Sequence, residues 1–274
     1  MQWRGRRQSS NIEDRRGISP RGIMTGGLGT IVIAIVFYLL GGDPTSVIDQ
    51  GQNTPYTETA EDKELVEFVS VVLAETEDVW HKIFNDAGTE YREPSLVLFN
   101  GQVQSACGIA GSSTGPFYCS GDEKLFIDLS FYDDLQNQFN APGDFAMAYV
   151  IAHEVGHHIQ NLTGTIDKVH SLQSQLSEEE YNQYSVRLEL QADFYAGVWA
   201  HYTERSDLLD TGDFEEALNA ASAVGDDRIQ KNTQGYVVPE SFTHGTSEQR
   251  MKWFSKGYKT GDINQGDTFS EENP

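Results

Sequence analysis

The run His153-Glu154-Val155-Gly156-His157 places two histidines four residues apart with a glutamate directly after the first. On a helix, side chains at i and i+4 project from one face about one turn apart. Two imidazoles so placed can share a zinc ion at about 2.0–2.1 Å each. Glu154, turned about 100° from His153, can reach a water at that ion without ligating it, which is the mechanical reason for the H-E-x-x-H pattern. The surrounding residues favour this reading. Phe145, Ala148, Val150, Ile151, Ala152, Val155 and Ile159 supply a buried apolar surface, and a core helix tolerates two histidines poorly unless they have partners. Asp144 is the expected N-cap, and Gly164 stands where the helix should stop.

A catalytic zinc needs three protein ligands and an open position. The segment Ser185 to Tyr202 reads as a second helix and presents Glu189 and Asp193 at i and i+4 among Leu188, Leu190, Ala192, Phe194 and Ala196. Glu189 is the expected third ligand. Asp193, one turn on, is expected behind the ligands, accepting from the N–H of a zinc-bound histidine and fixing its tautomer. Arg187 and Arg250 are the alternative, ion-pairing partners for these acids. His244 lies in Thr243-His244-Gly245-Thr246-Ser247-Glu248-Gln249-Arg250, a loop leading into a capped helix. It is a candidate donor to the oxyanion of a tetrahedral intermediate, and Arg250 a candidate to orient a ligand carboxylate. His158 is read as lying behind the ligands or on the surface.

The elements that must position these groups segregate along the chain. From Glu61 the residues Leu65, Val66, Phe68, Val69, Val72, Leu73, Val79 and Trp80 recur at three- and four-residue spacing, a helical period. Short apolar runs at Ser95–Phe99 and Lys124–Leu129, with a third at Phe117–Cys119, are punctuated by Gly and Ser as strands and turns require. After Pro142 the pattern is helical almost throughout. Strands in one block and helices in another predict an α+β fold, mostly helical, with a small sheet upstream of the active-site helix.

Ahead of this domain, Ile23 to Gly42 carries no charge and is close to the length needed to span a hydrocarbon core of about 30 Å. Residues 1–22 hold six arginines against Glu13 and Asp14, a local charge of +4. The bias predicts a transmembrane anchor with a cytoplasmic N-terminus and a catalytic domain on the extracytoplasmic side; a cleaved signal peptide is the competing reading. The expected organisation is a basic segment at 1–22, an anchor at 23–42, a polar linker at 43–60 and a metallopeptidase domain at 61–274. In an oxidising compartment Cys107 and Cys119 would pair, contributing about 3 kcal/mol in the chain-entropy account.

The net charge is −23. Nucleic-acid binding needs Lys and Arg to displace phosphate counterions, so DNA and RNA are excluded as expected partners.

Taken together, HEVGHHIQ, LELQADFYAG, THGTSEQR, the CG(x)₁₀C spacing and GPFYCSGDEKLFIDLSF resemble the bacterial neutral zinc metallopeptidases, single-anchor envelope proteins, over residues 60–260. The resemblance implies a zincin-like fold of the gluzincin kind, with an active-site helix and a second helix carrying E-x-x-x-D. It implies one zinc per chain on His153, His157 and Glu189, with Glu154 as base. THGTSEQR is also similar to the His-then-Arg element that follows the third ligand in integral-membrane zinc peptidases of the prenyl-protein-processing type. The expected activity is hydrolysis of peptide bonds in a peptide or protein substrate. The alternative is a zinc-bound envelope module that holds partners and cleaves nothing; a zinc hydrolase acting on another bond also fits the residues.

Overall fold

The computed structural model describes residues 1–17, 56–271 and 274. The expected span at 23–42 and most of the linker lie outside the described residues. Among the described residues no helix is long and apolar enough to cross a membrane.

The domain is a mostly helical α+β fold. Helix α1 (Ala60–Asp86) opens with a capping box in which the Thr59 hydroxyl accepts from the Asp62 N–H and the Asp62 carboxylate accepts from the Thr59 N–H, meeting two of the donors a helix start leaves free. Strand β2 (Ser95–Phe99) follows, then a hairpin of β3 (Gln102–Ser105) and β4 (Gly108–Gly111), then β5 (Phe117–Cys119) and β6 (Lys124–Asp128). The helical half contains α2 (Phe131–Asn137), α3 (Asp144–Leu162), α4 (Thr165–His170), α5 (Glu178–Glu204), α6 (Asp213–Ala223), α7 (Asp226–Gln234) and α8 (Ser247–Thr260).

The main sheet has an element that the hydrophobic pattern does not reveal. Residues Ile12–Asp14 form β1, and the strand order is β1-β2-β6-β5. β1 pairs parallel with β2, Ile12 opposite Leu96; β2 pairs parallel with β6; β5 closes the far edge antiparallel to β6. Over residues 1–17 the basic segment is therefore part of the folded domain rather than a separate unit. Trp3 is buried edge-on against Phe68 of α1. The arginines pair with acids: Arg7 with Glu77 and Asp78 at 2.8 Å each, and buried Arg16 with Asp14 at 2.6 Å and Glu58 at 3.0 Å. Arg16 also donates to the Tyr56 hydroxyl at 2.6 Å, so the described chain ends at 17 and resumes at 56 in the same place.

Cys107 and Cys119 form a disulfide with Cα atoms 5.8 Å apart. It ties the β3–β4 turn to the end of β5.

The helices pack through α3, α5 and α8, and glycines set how closely. A Cβ on Gly197 of α5 would lie 2.1 Å from the Phe254 carbonyl oxygen, and one on Gly257 of α8 would lie 2.1 Å from that of Phe194. No side chain fits between these backbones, so α5 and α8 cross in direct contact. Buried Phe145, Trp199, Phe194, Trp253 and Phe254 fill the space around the crossing, with Phe145 stacked on Trp199 at 5.6 Å between ring centroids.

Candidate metal centre

Helix α3 carries the H-E-x-x-H run in its middle. Its N-cap is Gly143, at φ +116°, and Asp144 is the first helical residue. Asp144 thus acts on the helix start as a first-turn acid and not as the expected cap. The helix ends at Leu162, with Gly164 in the left-handed conformation just beyond. Gly156 is where α3 meets α5: a Cβ there would come within 2.9 Å of the Ala192 carbonyl oxygen. That close approach sets Glu189, three residues before Ala192, against the two histidines.

The structure brings His153, His157 and Glu189 together, with one potential ligand atom from each lying within 4.8 Å of the others. His153 Nε2 is 3.1 Å from Glu189 Oε2, and His157 Nε2 is 3.4 Å from Glu189 Oε1. Ligands about 2.1 Å from a tetrahedral zinc sit about 3.4 Å from one another, so the donors are spaced as that ion requires. The opposite ring nitrogens are held from behind. His153 Nδ1 donates to Asp193 Oδ1 at 2.8 Å, and His157 Nδ1 donates to Gln160 Oε1 at 2.9 Å. Gln160, fully buried, is itself fixed by donating to the Leu188 carbonyl at 2.6 Å. Both Nε2 atoms are thereby left as lone-pair donors facing Glu189. Two imidazoles and one carboxylate suit zinc.

Asp193 is the hub behind this face. It accepts from Arg250 Nε at 2.8 Å and Nη2 at 3.0 Å, a bidentate pair, as well as from His153. The Tyr149 hydroxyl donates to it too. Burial alone would raise its pKa, but Arg250 and His153 outweigh that and hold it at about 2. Burial likewise works to lower the pKa of His153, and the Asp193 and Glu189 carboxylates overcome it, raising His153 to about 9 in the metal-free protein. His157 is raised for the same reason, chiefly by Glu189 against burial. Arg250 therefore anchors Asp193 and does not touch the ligand Glu189, as a direct orienting role would require. It also donates to the Val224 carbonyl at 3.2 Å, fastening α8 to the end of α6.

Glu154 projects into a cleft of 1160 Å³ that also exposes His153, His157 and Glu189, and its carboxylate has no hydrogen-bond partner among the described residues. His244 lines the same cleft with its side chain half exposed. Its pKa is raised, first by the charge of Glu189 and also by Asp226. Asp226, a residue the sequence did not single out, builds the loop that presents it. One carboxylate oxygen accepts from the N–H groups of Thr243, His244 and Gly245 at 2.8, 2.6 and 3.0 Å, and the other lies 3.3 Å from His244 Nδ1. The only sequence signal was an acid at a helix start, a placement the helix dipole already explains.

His158 is fully buried, with Nε2 donating to the Arg92 carbonyl at 2.6 Å and Nδ1 accepting from the Tyr118 hydroxyl at 3.0 Å. Burial lowers its pKa. It pins α3 to the sheet and stays out of the cleft.

The family model described as "Putative neutral zinc metallopeptidase" matches residues 1–269. The chain is 47% identical to "Uncharacterized protein YpfJ" of Escherichia coli strain K12 over 288 residues, covering 99% of both chains. It is also 47% identical to "Uncharacterized protein Rv2575" of Mycobacterium tuberculosis strain H37Rv over 191 residues, covering 66% of this chain and 64% of that one. No solved structure matches.

Proposed function

Because this chain belongs to the neutral zinc metallopeptidase family, we propose that it is a zinc-dependent peptidase of the zincin kind, with one zinc per chain held by His153, His157 and Glu189. The observation that carries this reading is the convergence of both Nε2 atoms on Glu189 in an open cleft, beside a Glu154 carboxylate with no hydrogen-bond partner among the described residues. A zinc ion held there would polarise a scissile carbonyl and acidify a nearby water.

The chain's own groups do the rest. Glu154 accepts the proton of the attacking water and delivers it to the leaving amine. His244, fixed by Asp226, donates to the oxyanion as the carbonyl becomes tetrahedral, a contribution of about 2.7–4 kcal/mol for one such donor. Asp193, Arg250 and Tyr149 keep the His153 ring in one orientation throughout. The cleft also favours a peptide as substrate. Phe117 and Tyr118 of β5 line it, and among the described residues β5 is the outer strand of its sheet, an edge to which an extended chain can add. Membrane association through the apolar run at 23–42 belongs to the same reading and rests on the sequence alone.

The test is cleavage of a diverse peptide library by the zinc-loaded protein, read by mass spectrometry, with Glu154→Gln alongside. The expected result is cleavage that the variant lowers by about 10²–10⁴-fold while still binding one zinc. Equal cleavage by both proteins would remove Glu154 from the mechanism, and a folded protein that takes up no zinc would overturn the reading.

A further inference from the structure

Arg228 is a half-buried cation in the wall of the cleft. The chain has 42 acidic residues for 19 lysines and arginines, and arginine after arginine is paired with a carboxylate, Arg7, Arg16, Arg92 and Arg250 among them. Arg228 is half-buried in the wall of the cleft that holds His153, Glu154, His157 and Glu189, yet no carboxylate among the described residues pairs with it. Among the described residues its guanidinium makes one long hydrogen bond, from Nη1 to the Ser222 hydroxyl at 3.4 Å, leaving most of its five N–H donors without a protein partner there.

Its position makes this more pointed. Arg228 is the third residue of α7, where the helix dipole disfavours a cation. The two acids beside it are hydrogen-bonded elsewhere. Asp226 is engaged by the Thr243–Gly245 backbone, and Asp227 accepts from the Ser247 N–H at 2.7 Å and its hydroxyl at 2.9 Å. A planar, half-desolvated guanidinium with free donors is built to take a carboxylate on two parallel hydrogen bonds.

We propose that Arg228 is a specificity-determining residue that receives a substrate carboxylate, so that the preferred substrates are peptides bearing a carboxylate near the scissile bond. Both an acidic side chain and a free C-terminus supply that chemistry. The proposal rests on the peptidase reading for its consequence in cleavage, but recognition by Arg228 is separable from cleavage and is tested separately.

The experiment uses the zinc-loaded full chain and matched peptides that differ only in Glu against Gln at each position near the scissile bond, each made with a free and an amidated C-terminus. Wild type is expected to cleave one carboxylate-bearing set about tenfold to a hundredfold faster than its neutral twin, the range for a charge-assisted contact. The Glu/Gln pairs and the acid/amide pairs tell the two sources apart. Arg228→Gln should abolish the preference by slowing that set alone, with neutral peptides cleaved as before, and Arg228→Glu should transfer the preference to Lys-containing counterparts. With its single long hydrogen bond, Arg228 is not needed for folding, which thermal unfolding of the variants checks. The same peptides are then titrated against zinc-loaded E154Q and E154Q/R228Q. Tighter binding of the carboxylate set that R228Q removes, in a protein whose wild type cleaves nothing, would uphold recognition while the peptidase reading falls. No discrimination in cleavage or in binding, or an equal loss for both sets in Arg228→Gln, would overturn the proposal.

Discussion

Two regions of this molecule bury charge, and they do so to opposite ends. Behind the cleft, Asp193 is fully buried and accepts from Arg250, His153 and Tyr149. Under the N-terminal arm, Glu77 of α1 is 2% exposed and accepts from Arg7, Ser9 and Asn11. Buried carboxylates are costly in both places and survive because each is paired and hydrogen-bonded. The difference lies in what remains unanswered. The arm's charges close on one another, Arg16 on Asp14 and Glu58, Lys124 on Glu13. The cleft network ends on three groups that face one another, His153 Nε2, His157 Nε2 and Glu189, beside a Glu154 carboxylate with no hydrogen-bond partner among the described residues. A charge network that closes is architecture; one that ends at an open cleft is a candidate site for chemistry. The first turn of α3 offers a third case. Asp144, Asp213 and Glu216 come as close together as the metal ligands do, but all three are carboxylates, and the Met1 ammonium lies 3.0 Å from Asp144 and 3.4 Å from Asp213.

The comparison breaks most readily at Asp193. Asp193→Asn should lower zinc affinity about 10–100-fold by loosening His153. It should also destabilise the fold by about 3–5 kcal/mol, because Arg250 is left as a buried charge without its counter-ion. Chelator competition and thermal unfolding read the two effects. Wild-type zinc affinity in this variant would mean that the ligand face does not depend on the network behind it.

A smaller effect follows from the histidines. In the metal-free protein His153 titrates at about 9 and His157 above its ordinary value, so His153 is protonated at pH 7 and the ligand face competes for protons. Zinc takes neutral imidazoles and must expel them. Affinity should therefore rise with pH between 6 and 8, by about tenfold per pH unit for each proton displaced, and calorimetry in buffers of different ionisation enthalpy should count the protons. The metal-free fold should respond in the other direction. The raised pKa of His153 contributes stability that is full below its ordinary 6.5 and lost as the pH climbs through about 9. Asp193, held at about 2, contributes stability that is full above its ordinary 3.8 and lost as the pH falls through about 2. A zinc affinity independent of pH would contradict the assignment of His153 and His157 as ligands.

How legible each region was in the sequence follows from the range of its interactions. The convergence of His153, His157 and Glu189 was legible because it is carried by i, i+4 spacing on one helix and an acid on a second, and helical period is a local signal. The strands at 95–99, 117–119 and 124–128 were legible because their apolar runs stand between turn residues. β1 was not. Its three residues offer one apolar side chain, Ile12, and its partner Leu96 lies far along the chain. Nothing local distinguishes arginines that flank an apolar run from arginines that neutralise a helix, and the acids on α1 decide it for Arg4, Arg6 and Arg7. Arg250 was expected either on a ligand carboxylate or paired with one of the two acids, and it pairs with Asp193. Asp226 was not legible for a related reason: its partners, the Thr243–Gly245 backbone groups, are about twenty residues away, and a charge alone does not say where it points.

On the arm, Glu77→Gln should cost about 1–3 kcal/mol, the range for leaving buried donors imperfectly met, with zinc binding and peptide cleavage unchanged. A loss of cleavage without a loss of stability would show that the two regions are coupled and that the contrast between them fails.

The arm's smallest perturbation asks the largest question about its place. A single crossing at 23–42 puts residues 1–22 and 61–274 on opposite faces of a membrane, whereas β1 paired with β2 and Arg16 bonded to Tyr56 and Glu58 require one face. Ser10 and Ser174 are exposed, and the two native cysteines are joined in the disulfide, so Ser10→Cys and Ser174→Cys each introduce one free thiol at almost no cost in stability. In cells expressing the full chain, a membrane-impermeant maleimide should modify both positions or neither before the membrane is opened, and both afterwards. Modification of one and protection of the other would mean that the arm leaves the sheet in the membrane, that Glu77 and Arg16 lose their partners there, and that the closed network under α1 is not the state in which the protein works.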